Sequence, residues 1–285
     1  MILPDFVLPS RVNQCWEYSG IDSPEDCLGK THFEQYPHKV LYQYNSRGFR
    51  DQEWPDSMEE LTNAIWCVGD SFTVGLGSPV EHTWPWILQK QTNQRTINVS
   101  MDGASNDWIA RKTVDILQKI NPTHLVIHWS YISRREVDLE TIQDQQWHSF
   151  YQAIRETSWP NCERTQYNQL PEHILTEIEN LHSGWNYSPV PDDHRIMRHI
   201  KCTDQDDVTN TLSSIHMVND FSDRCKIIHS FIPKFEPEHL KGTIESQCQG
   251  LVVPEFTVLD LARDGHHYDR LTSQFFVDQL VPLLK

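Results

Sequence analysis

The sequence predicts an α/β protein with three layers, in which a doubly wound, mainly parallel five-stranded sheet carries helices on both faces. Three observations favour this class. Short apolar runs alternate with longer segments in which apolar residues recur at helical spacing. The runs are apolar along their whole length, as in strands that are buried on both faces. The chemically distinctive segments follow such runs directly, and α/β folds place their sites at the carboxyl ends of strands.

The five strands are predicted from apolar runs bounded by polar or turn-forming residues. They cover residues 64–68, 96–99, 124–129, 225–232 and 256–261. Continuous apolar strands that alternate with amphipathic helices indicate parallel pairing, because both faces of the sheet must then be covered.

Three helices are predicted between and after these strands. The first covers 84–91, with Pro85 in its first turn. Backbone N–H groups in a first turn have no partner within the helix, so the missing N–H of proline costs no hydrogen bond there. The second begins after Ser105, whose hydroxyl can cap it, and ends before Pro122. The third closes the chain and carries one apolar face, formed by Phe276, Leu280 and Leu283.

Two parts of the chain fall outside this alternation. Residues 1–60 are irregular and rich in Pro, Tyr and Trp, and we predict that they form an extension packed on the main domain at 61–285. Residues from about 136 to 222 are far longer than a usual connection between strands, and apolar residues recur in them at helical spacing. We therefore predict a helical insertion there.

Composition limits the partners and the compartment. The chain has 40 Asp+Glu against 24 Lys+Arg, a formal net charge of -16, so we expect neither nucleic acid nor membrane as a partner. No apolar run approaches the ~20 residues that span a bilayer, and the first fifteen residues do not resemble a signal peptide. The odd cysteine count, 7, without Cys-x-x-Cys favours free thiols. We expect a cytoplasmic or virion-associated protein.

The first distinctive segment is Gly69-Asp70-Ser71, directly after the first predicted strand. A serine hydroxyl becomes a nucleophile when a base removes its proton and a tight turn presents it. Gly69 leaves room for such a turn, and the N–H groups that follow can face a developing oxyanion. The same triplet is also compatible with an ordinary turn that caps a helix.

The second distinctive segment begins at Asp264 and reads Asp-Gly-His-His-Tyr-Asp. A base for Ser71 should be a histidine that a carboxylate orients, and Asp264 and His267 can reach one site from a single loop. His266 competes with His267 for the role of base. Two other interpretations are a polar loop that caps the last helix through Asp269, and a metal site built from these Asp and His side chains.

Together, these segments resemble the blocks that mark SGNH hydrolases, the superfamily of GDSL-like esterases. The run Gly-Asp-Ser-Phe-Thr from Gly69 is similar to the first block, and Asp-Gly-His-His from Asp264 is similar to the last. Gly103 lies in a segment similar to the second block. The resemblance covers about residues 60–135 and 225–285.

The resemblance implies a role for each matching residue. Ser71 would be the nucleophile, His267 the base and Asp264 the carboxylate that orients it. The backbone N–H groups of Ser71 and Gly103 would form an oxyanion hole. No metal or other cofactor is implied.

The third block departs from the family pattern. It usually reads Gly-x-Asn-Asp, and its Asn side chain completes the oxyanion hole, whereas here the third strand runs into Trp-Ser-Tyr. Ser130 takes the place of that Asn, and Asn106 follows closely after Gly103, so either could act instead. Arg134 and Arg50 are candidates for contacts with an anionic or sugar substrate.

Two further patterns resemble a branch found in bacteriophage and marine bacterial sequences: Trp-Ser-x-x-x-Arg-Arg-Glu at 129–136 and Asn-Ser-x-Gly-Phe-Arg at 45–50. The implied activity is hydrolysis of a small acyl ester, such as an acetyl group on a carbohydrate. The alternative, favoured by the altered third block, is a catalytically weak or inactive module. Such a module would bind glycan or serve as a structural component of a larger assembly such as a virus particle.

Overall fold

The computed structural model describes residues 6–8, 11–19, 22–27, 29–138, 187–189, 195–199, 204–233, 238–254 and 257–285. The strands are β1 (Cys15–Trp16), β2 (Tyr42–Gln43), β3 (Ile65–Gly69), β4 (Thr96–Ser100), β5 (His124–Trp129), β6 (Arg134–Asp138), β7 (Tyr187–Pro189), β8 (Arg195–His199), β9 (Lys226–Phe231) and β10 (Leu251–Val252). The helices are α1 (Pro24–Cys27), α2 (Thr31–Gln35), α3 (Met58–Asn63), α4 (Ser71–Val74), α5 (Trp84–Thr92), α6 (Asn106–Lys119), α7 (Asp204–Asn219), α8 (Glu238–Glu245) and α9 (Arg270–Leu284).

The main sheet has five strands in the order β10-β9-β5-β3-β4, and every neighbouring pair is parallel. The chain starts this sheet at β3, adds β4 on one side and then returns to add the other strands on the opposite side. This doubly wound order confirms the predicted α/β class. It also leaves a crevice between the carboxyl ends of β3 and β5, which is where ligands bind in such sheets.

Helices cover both faces of this sheet, because successive side chains of its strands point to opposite faces. On one face, Trp66 and Val68 of β3 join a buried cluster with α6 and α7. On the other face, Ile65 and Cys67 join a second cluster with α5 and α9. The predicted helices after β3, after β4 and at the chain end are therefore confirmed. None of the helices among the described residues is long and apolar enough to cross a membrane.

The fifth strand of the sheet is not where the sequence predicted it. Leu251–Val252 pairs with β9, whereas the described part of the run 256–261 forms no strand of that sheet. The hydroxyl of Thr272 accepts hydrogen bonds from the backbone N–H groups of Leu259 and Asp260, at 2.8 and 3.2 Å. These N–H groups therefore bind a side chain in the first turn of α9 and do not pair with another strand.

The predicted helical insertion, about 136–222, lies largely outside the described residues. Where it is described, β6, β8 and β7 form a separate antiparallel sheet, and residues 204–219 form the helix α7. The helix α7 at the end of this stretch packs against α6 and buries Val208 and Ile215 in the core. It is thus a crossover helix of the main fold, connecting toward β9.

The residues before β3 pack onto this framework. Phe6, Leu8, Phe49 and Trp54 belong to the same buried cluster as the central strand β3. At the edge strand β4, the Asp51 carboxylate accepts a hydrogen bond from the backbone N–H of Asn98 at 3.2 Å. It also pairs with Arg95 at 2.9 Å. The early residues therefore complete the core and cover one edge of the sheet.

Candidate active site

The turn after β3 presents Ser71 at the crevice. Gly69 ends the strand, and a Cβ there would collide with the side chain of Thr73, so the tight return of the chain requires glycine. Asp70 caps α4 by accepting a hydrogen bond from the N–H of Phe72 at 3.0 Å. Ser71 is consequently the first residue of α4, and only 2% of its surface is exposed.

Ser71, His267 and Asp264 form one chain of hydrogen bonds. The Ser71 hydroxyl lies 2.8 Å from His267 Nε2, and His267 Nδ1 lies 2.5 Å from Asp264 Oδ2. The other oxygen of Asp264 accepts the backbone N–H groups of His266 and His267, at 2.9 and 3.0 Å. Nucleophile, base and carboxylate are thus ordered as in a serine hydrolase triad.

The carboxyl group of Asp264 is held in its charged form. Burial raises its pKa, but the charge and hydrogen bond of His267 and the two backbone N–H groups outweigh burial and bring the pKa below its ordinary value. A charged carboxylate at Nδ1 fixes the tautomer in which Nε2 can accept the proton of Ser71.

The loop that carries Asp264 and His267 is fastened to the segment after α4. Gly77 has a left-handed φ of 74°, and its carbonyl accepts the N–H of Arg263 at 2.9 Å. A Cβ on Gly77 would lie 2.9 Å from the Cβ of Ala262. Tyr42 accepts the N–H of Gly77 at 2.7 Å, which ties the early part of the chain to the same point.

The other members of the loop segment point elsewhere. His266 is exposed, and its Nε2 lies 3.5 Å from the hydroxyl of Tyr131. Asp269 accepts hydrogen bonds from Tyr36 at 2.6 Å and from His82 at 2.8 Å. Among the described residues, no group of three or more His, Cys, Asp or Glu side chains is arranged to hold a metal ion.

Of the two histidines that could act as a base for Ser71, His267 faces the Ser71 hydroxyl and His266 faces Tyr131.

Two backbone N–H groups lie shortly after the carboxyl ends of β3 and β4, at the edge of the sheet that carries Ser71. Within the described part of the chain, nothing accepts a hydrogen bond from the N–H of Ser71 or of Gly103. Gly103 is half-buried in the loop after β4 and has a left-handed φ of 72°. These are the two donors that the resemblance assigns to an oxyanion hole.

Ser130 and Asn106 are both engaged with neighbours. The Ser130 hydroxyl donates to Asp70 Oδ2 at 2.6 Å. The Asn106 amide donates to the carbonyl of Ser130 and to the hydroxyl of Thr211, both at 3.3 Å, and its oxygen accepts the N–H of Ser130 at 2.8 Å. A hydroxyl has one proton and an amide nitrogen has two. Both side chains therefore hold the end of β5 and do not offer a proton to the crevice.

Arg134 lies at the centre of this network. Its Nη1 is 3.0 Å from Asp70 Oδ2, 2.9 Å from Ser130 Oγ and 3.4 Å from the carbonyl of Ala104. The Arg134 side chain is 13% exposed, whereas that of Asp70 is completely buried. The guanidinium also lies over the ring of Tyr131, 4.8 Å from its centroid. A cation therefore lies beside Asp70, the residue that precedes Ser71.

Arg50, the other predicted substrate contact, does not line the site mouth. Only 2% of its surface is exposed, and its guanidinium donates to the carbonyls of Gly75 at 2.6 Å and Ser78 at 2.7 Å. It also lies over the ring of Tyr42, 4.5 Å from the centroid. The prediction for Arg50 was wrong because its charge is satisfied by backbone carbonyls of the segment after α4.

Two acidic residues near the site escaped the sequence interpretation. Asp70 was part of the recognised motif. Its partners Ser130 and Arg134 follow β5, about 60 positions further along the chain, so no local sequence pattern could indicate them. Asp102 precedes Gly103; burial raises its pKa, while the charges of Arg11, His267 and Arg134 act in the opposite direction. Its position directly before the predicted oxyanion glycine was the available signal.

Comparisons with known proteins give structures but no sequence match. No family model matches the chain, and no curated protein matches it at a significant level. TesA is similar with a TM-score of 0.44 and 15% identity over 78% of this chain and 98% of that one. A lipolytic G-D-S-L family protein from Veillonella parvula gives 0.40 and 13%, covering 77% and 97%. An acetyl xylan esterase from Butyrivibrio proteoclasticus gives 0.43 and 12%, covering 82% and 65%.

Such low identities and TM-scores do not assign an activity to this chain. The fold and the site define its class directly: a doubly wound α/β protein with a buried Ser–His–Asp arrangement at the switch point of its sheet. Function is therefore inferred from the geometry of that site.

Proposed function

We propose that the protein is a serine esterase that hydrolyses a small acyl ester through Ser71, His267 and Asp264. The observation that carries this proposal is the unbroken hydrogen-bond chain from the Ser71 hydroxyl through His267 to Asp264. The backbone N–H groups of Ser71 and Gly103 support it, because an oxyanion hole requires donors beside the nucleophile.

The reaction is acyl transfer in two halves. Ser71 Oγ attacks the carbonyl carbon while His267 Nε2 takes the hydroxyl proton, and the carbonyl π electrons move onto oxygen. The tetrahedral intermediate collapses as the bond to the leaving oxygen breaks, and His267 gives its proton to the departing alcohol. Water then attacks the acyl-serine with His267 as base, and collapse releases the carboxylic acid and restores the Ser71 hydroxyl.

The surroundings of the site favour a small, polar ester. The exposed or half-buried residues next to the triad include His266, Tyr131 and Arg134, which are polar or aromatic and not aliphatic. A long acyl chain would need an apolar groove to leave water. We therefore propose a short acyl group such as acetyl, carried by a carbohydrate alcohol that can hydrogen-bond to this rim.

The test is hydrolysis of p-nitrophenyl acetate, butyrate and octanoate by the purified protein, together with Ser71→Ala, His267→Ala and Asp264→Asn. We expect the acetate to be the best substrate and each variant to lose activity by about 10⁴-fold or more. Ser214→Ala is the matched control, because Ser214 is 3% exposed but lies on α7. Acetylated xylan and acetylated monosaccharides then test the alcohol.

A fluorophosphonate probe gives a second readout that does not depend on the choice of ester. Intact mass and peptide mapping should find one adduct, on Ser71, and none in Ser71→Ala. A wild-type protein that neither turns over any of these esters nor takes up the probe would overturn the esterase proposal. That result would favour a module that binds glycan or serves an assembly.

A further inference from the structure

The site has two backbone donors for an oxyanion, and the side chains predicted to add a third are occupied. The proton of Ser130 is directed to Asp70, and both protons of the Asn106 amide are directed to Ser130 and Thr211. The same region contains a buried carboxylate, Asp70, immediately before the nucleophile. Negative charge at that position would oppose an oxyanion unless a cation compensates for it.

We propose that the guanidinium of Arg134, anchored on Asp70, is the third donor of the oxyanion hole. The inference rests on the proposed esterase function and identifies a residue of the same site. A guanidinium carries five N–H donors in a rigid planar fork, so it can bind Asp70 and a second oxygen at the same time. The site thus replaces a neutral amide by the N–H donors of a guanidinium that is paired with Asp70.

The anchoring geometry defines where this charge lies. Arg134 Nη1 lies within 3.0 Å of both Asp70 Oδ2 and Ser130 Oγ, which belong to the residues that follow β3 and β5. These two strands border the crevice at the switch point of the sheet. Because Asp70 is also the N-cap of α4, which begins at Ser71, the guanidinium is fixed to the turn that presents the nucleophile.

A second observation places Arg134 beside the Gly103 loop: its Nη1 lies 3.4 Å from the carbonyl of Ala104, the residue after Gly103. Burial raises the pKa of Asp102, and the charges of Arg11, His267 and Arg134 all counteract it. Asp102 immediately precedes Gly103, the other predicted oxyanion donor. The charges of His267 and Arg134 thus both act on the residue before Gly103, in agreement with this placement.

The decisive variants are Arg134→Gln and Arg134→Lys, assayed with p-nitrophenyl acetate. An interaction made only with the oxyanion lowers kcat and kcat/KM equally and leaves KM unchanged. We expect Arg134→Gln to lose about 10²–10³-fold in kcat, which is the effect of losing one oxyanion donor. Arg134→Lys keeps the charge but not the fork, so its loss should be smaller.

Arg95→Gln is the matched control. Arg95 also forms an ion pair with a largely buried aspartate, Asp51, but beside the edge strand β4 and away from the crevice. Its removal should lower the temperature of unfolding with little change in kcat. A purely structural role for Arg134 predicts the same pattern for Arg134→Gln, namely lower stability and a kcat within about threefold of wild type.

Chemical rescue separates the two roles even where a variant is destabilised. Millimolar guanidinium, well below denaturing concentration, should raise the kcat of Arg134→Ala and Arg134→Gln by tenfold or more. It should not affect Arg95→Gln. Failure of rescue in both variants, each with the circular dichroism spectrum of the wild type, would overturn the proposal. A kcat close to wild type in both would do the same.

Labelling of Ser71 by the fluorophosphonate probe distinguishes this failure from failure of the esterase proposal. A wild type that labels and turns over, with Arg134 variants of normal kcat, removes only the role of Arg134. A wild type without labelling or turnover removes both proposals.

Discussion

His229 lies on β9, between the strands β10 and β5 of the main sheet, as a buried neutral ring. Its Nδ1 accepts the indole N–H of Trp129 at 3.1 Å, and its Nε2 donates to the carbonyl of Gln249 at 3.2 Å. The two rings stack with an interplanar angle of 10°. Burial lowers the pKa of His229 to about 4, against which the bond to Gln249 acts. Protonation of Nδ1 would break the bond to Trp129.

This ring should make the fold sensitive to acid. The unfolded chain binds the proton near the ordinary histidine pKa of about 6.5, whereas the folded ring resists until about pH 4. The free energy of unfolding should therefore fall between these pH values, by on the order of 3 kcal/mol for this residue. Urea unfolding of wild type and His229→Gln at pH 7, 5.5 and 4 tests this. Parallel pH dependences would contradict it.

At the scale of residues, the sequence indicated the short motifs of the site. It did not indicate which distant residues contact them. Ser71 and the Asp264–His267 pair each belong to a short motif whose spacing carries chemical meaning. Arg134 was anticipated only as a substrate contact, because its neighbours Asp70 and Ser130 come together through the pairing of β3 with β5. Arg50 was misassigned for a similar reason, since the carbonyls that bind it belong to a distant turn.

At the scale of elements, we expect the turn at Gly77 to hold the loop that carries Asp264 and His267 in position. Gly77→Ala would force a side chain into a left-handed φ and against Ala262. We expect a loss of about 1–3 kcal/mol in stability. We also expect kcat to fall by about 10²-fold, because a displacement near 1 Å misaligns His267. Thermal unfolding and p-nitrophenyl acetate hydrolysis measure the two effects.

Gly242 provides the control for that substitution. It lies within α8, and a Cβ there would meet nothing within 4 Å. Gly242→Ala should stabilise the protein by up to about 1 kcal/mol, since alanine favours a helix, and should leave kcat unchanged. Equal behaviour of the two variants would show that Gly77 has no special role in holding the loop.

The strands were predicted correctly where the apolar runs were long. The prediction failed for the fifth strand, whose position depends on contacts between distant parts of the chain. The strands β3, β4, β5 and β9 lie at or within a residue or two of the predicted runs. The remaining strand, β10, has 2 residues, too few for any periodic pattern. The more apolar run near 258 was chosen instead, but Thr272 takes its backbone donors.

At the scale of the whole molecule, the segment before β3 is predicted to be part of the folding unit. Phe6, Leu8 and Phe49 are at most 1% exposed, and Trp54 is 8% exposed. Loss of one such large side chain costs about 3–5 kcal/mol, and a whole domain has only about 5–15 kcal/mol of stability. Deletion of residues 1–60 should therefore abolish folding. Soluble protein with a cooperative melt and esterase activity would contradict this.

Ser71 and His267, which contact each other, are 196 positions apart in the chain. At ribosomal rates of about 5–20 residues per second, roughly 10–40 s separate the synthesis of Ser71 from that of His267. During this interval the hydroxyl of Ser71 lacks its hydrogen-bond partner His267, so under the proposed mechanism the nascent chain cannot yet attack an ester. The proposed mechanism therefore requires the loop after β10, which contacts the turn at Gly77, and a chain that ends before that loop should have no esterase activity.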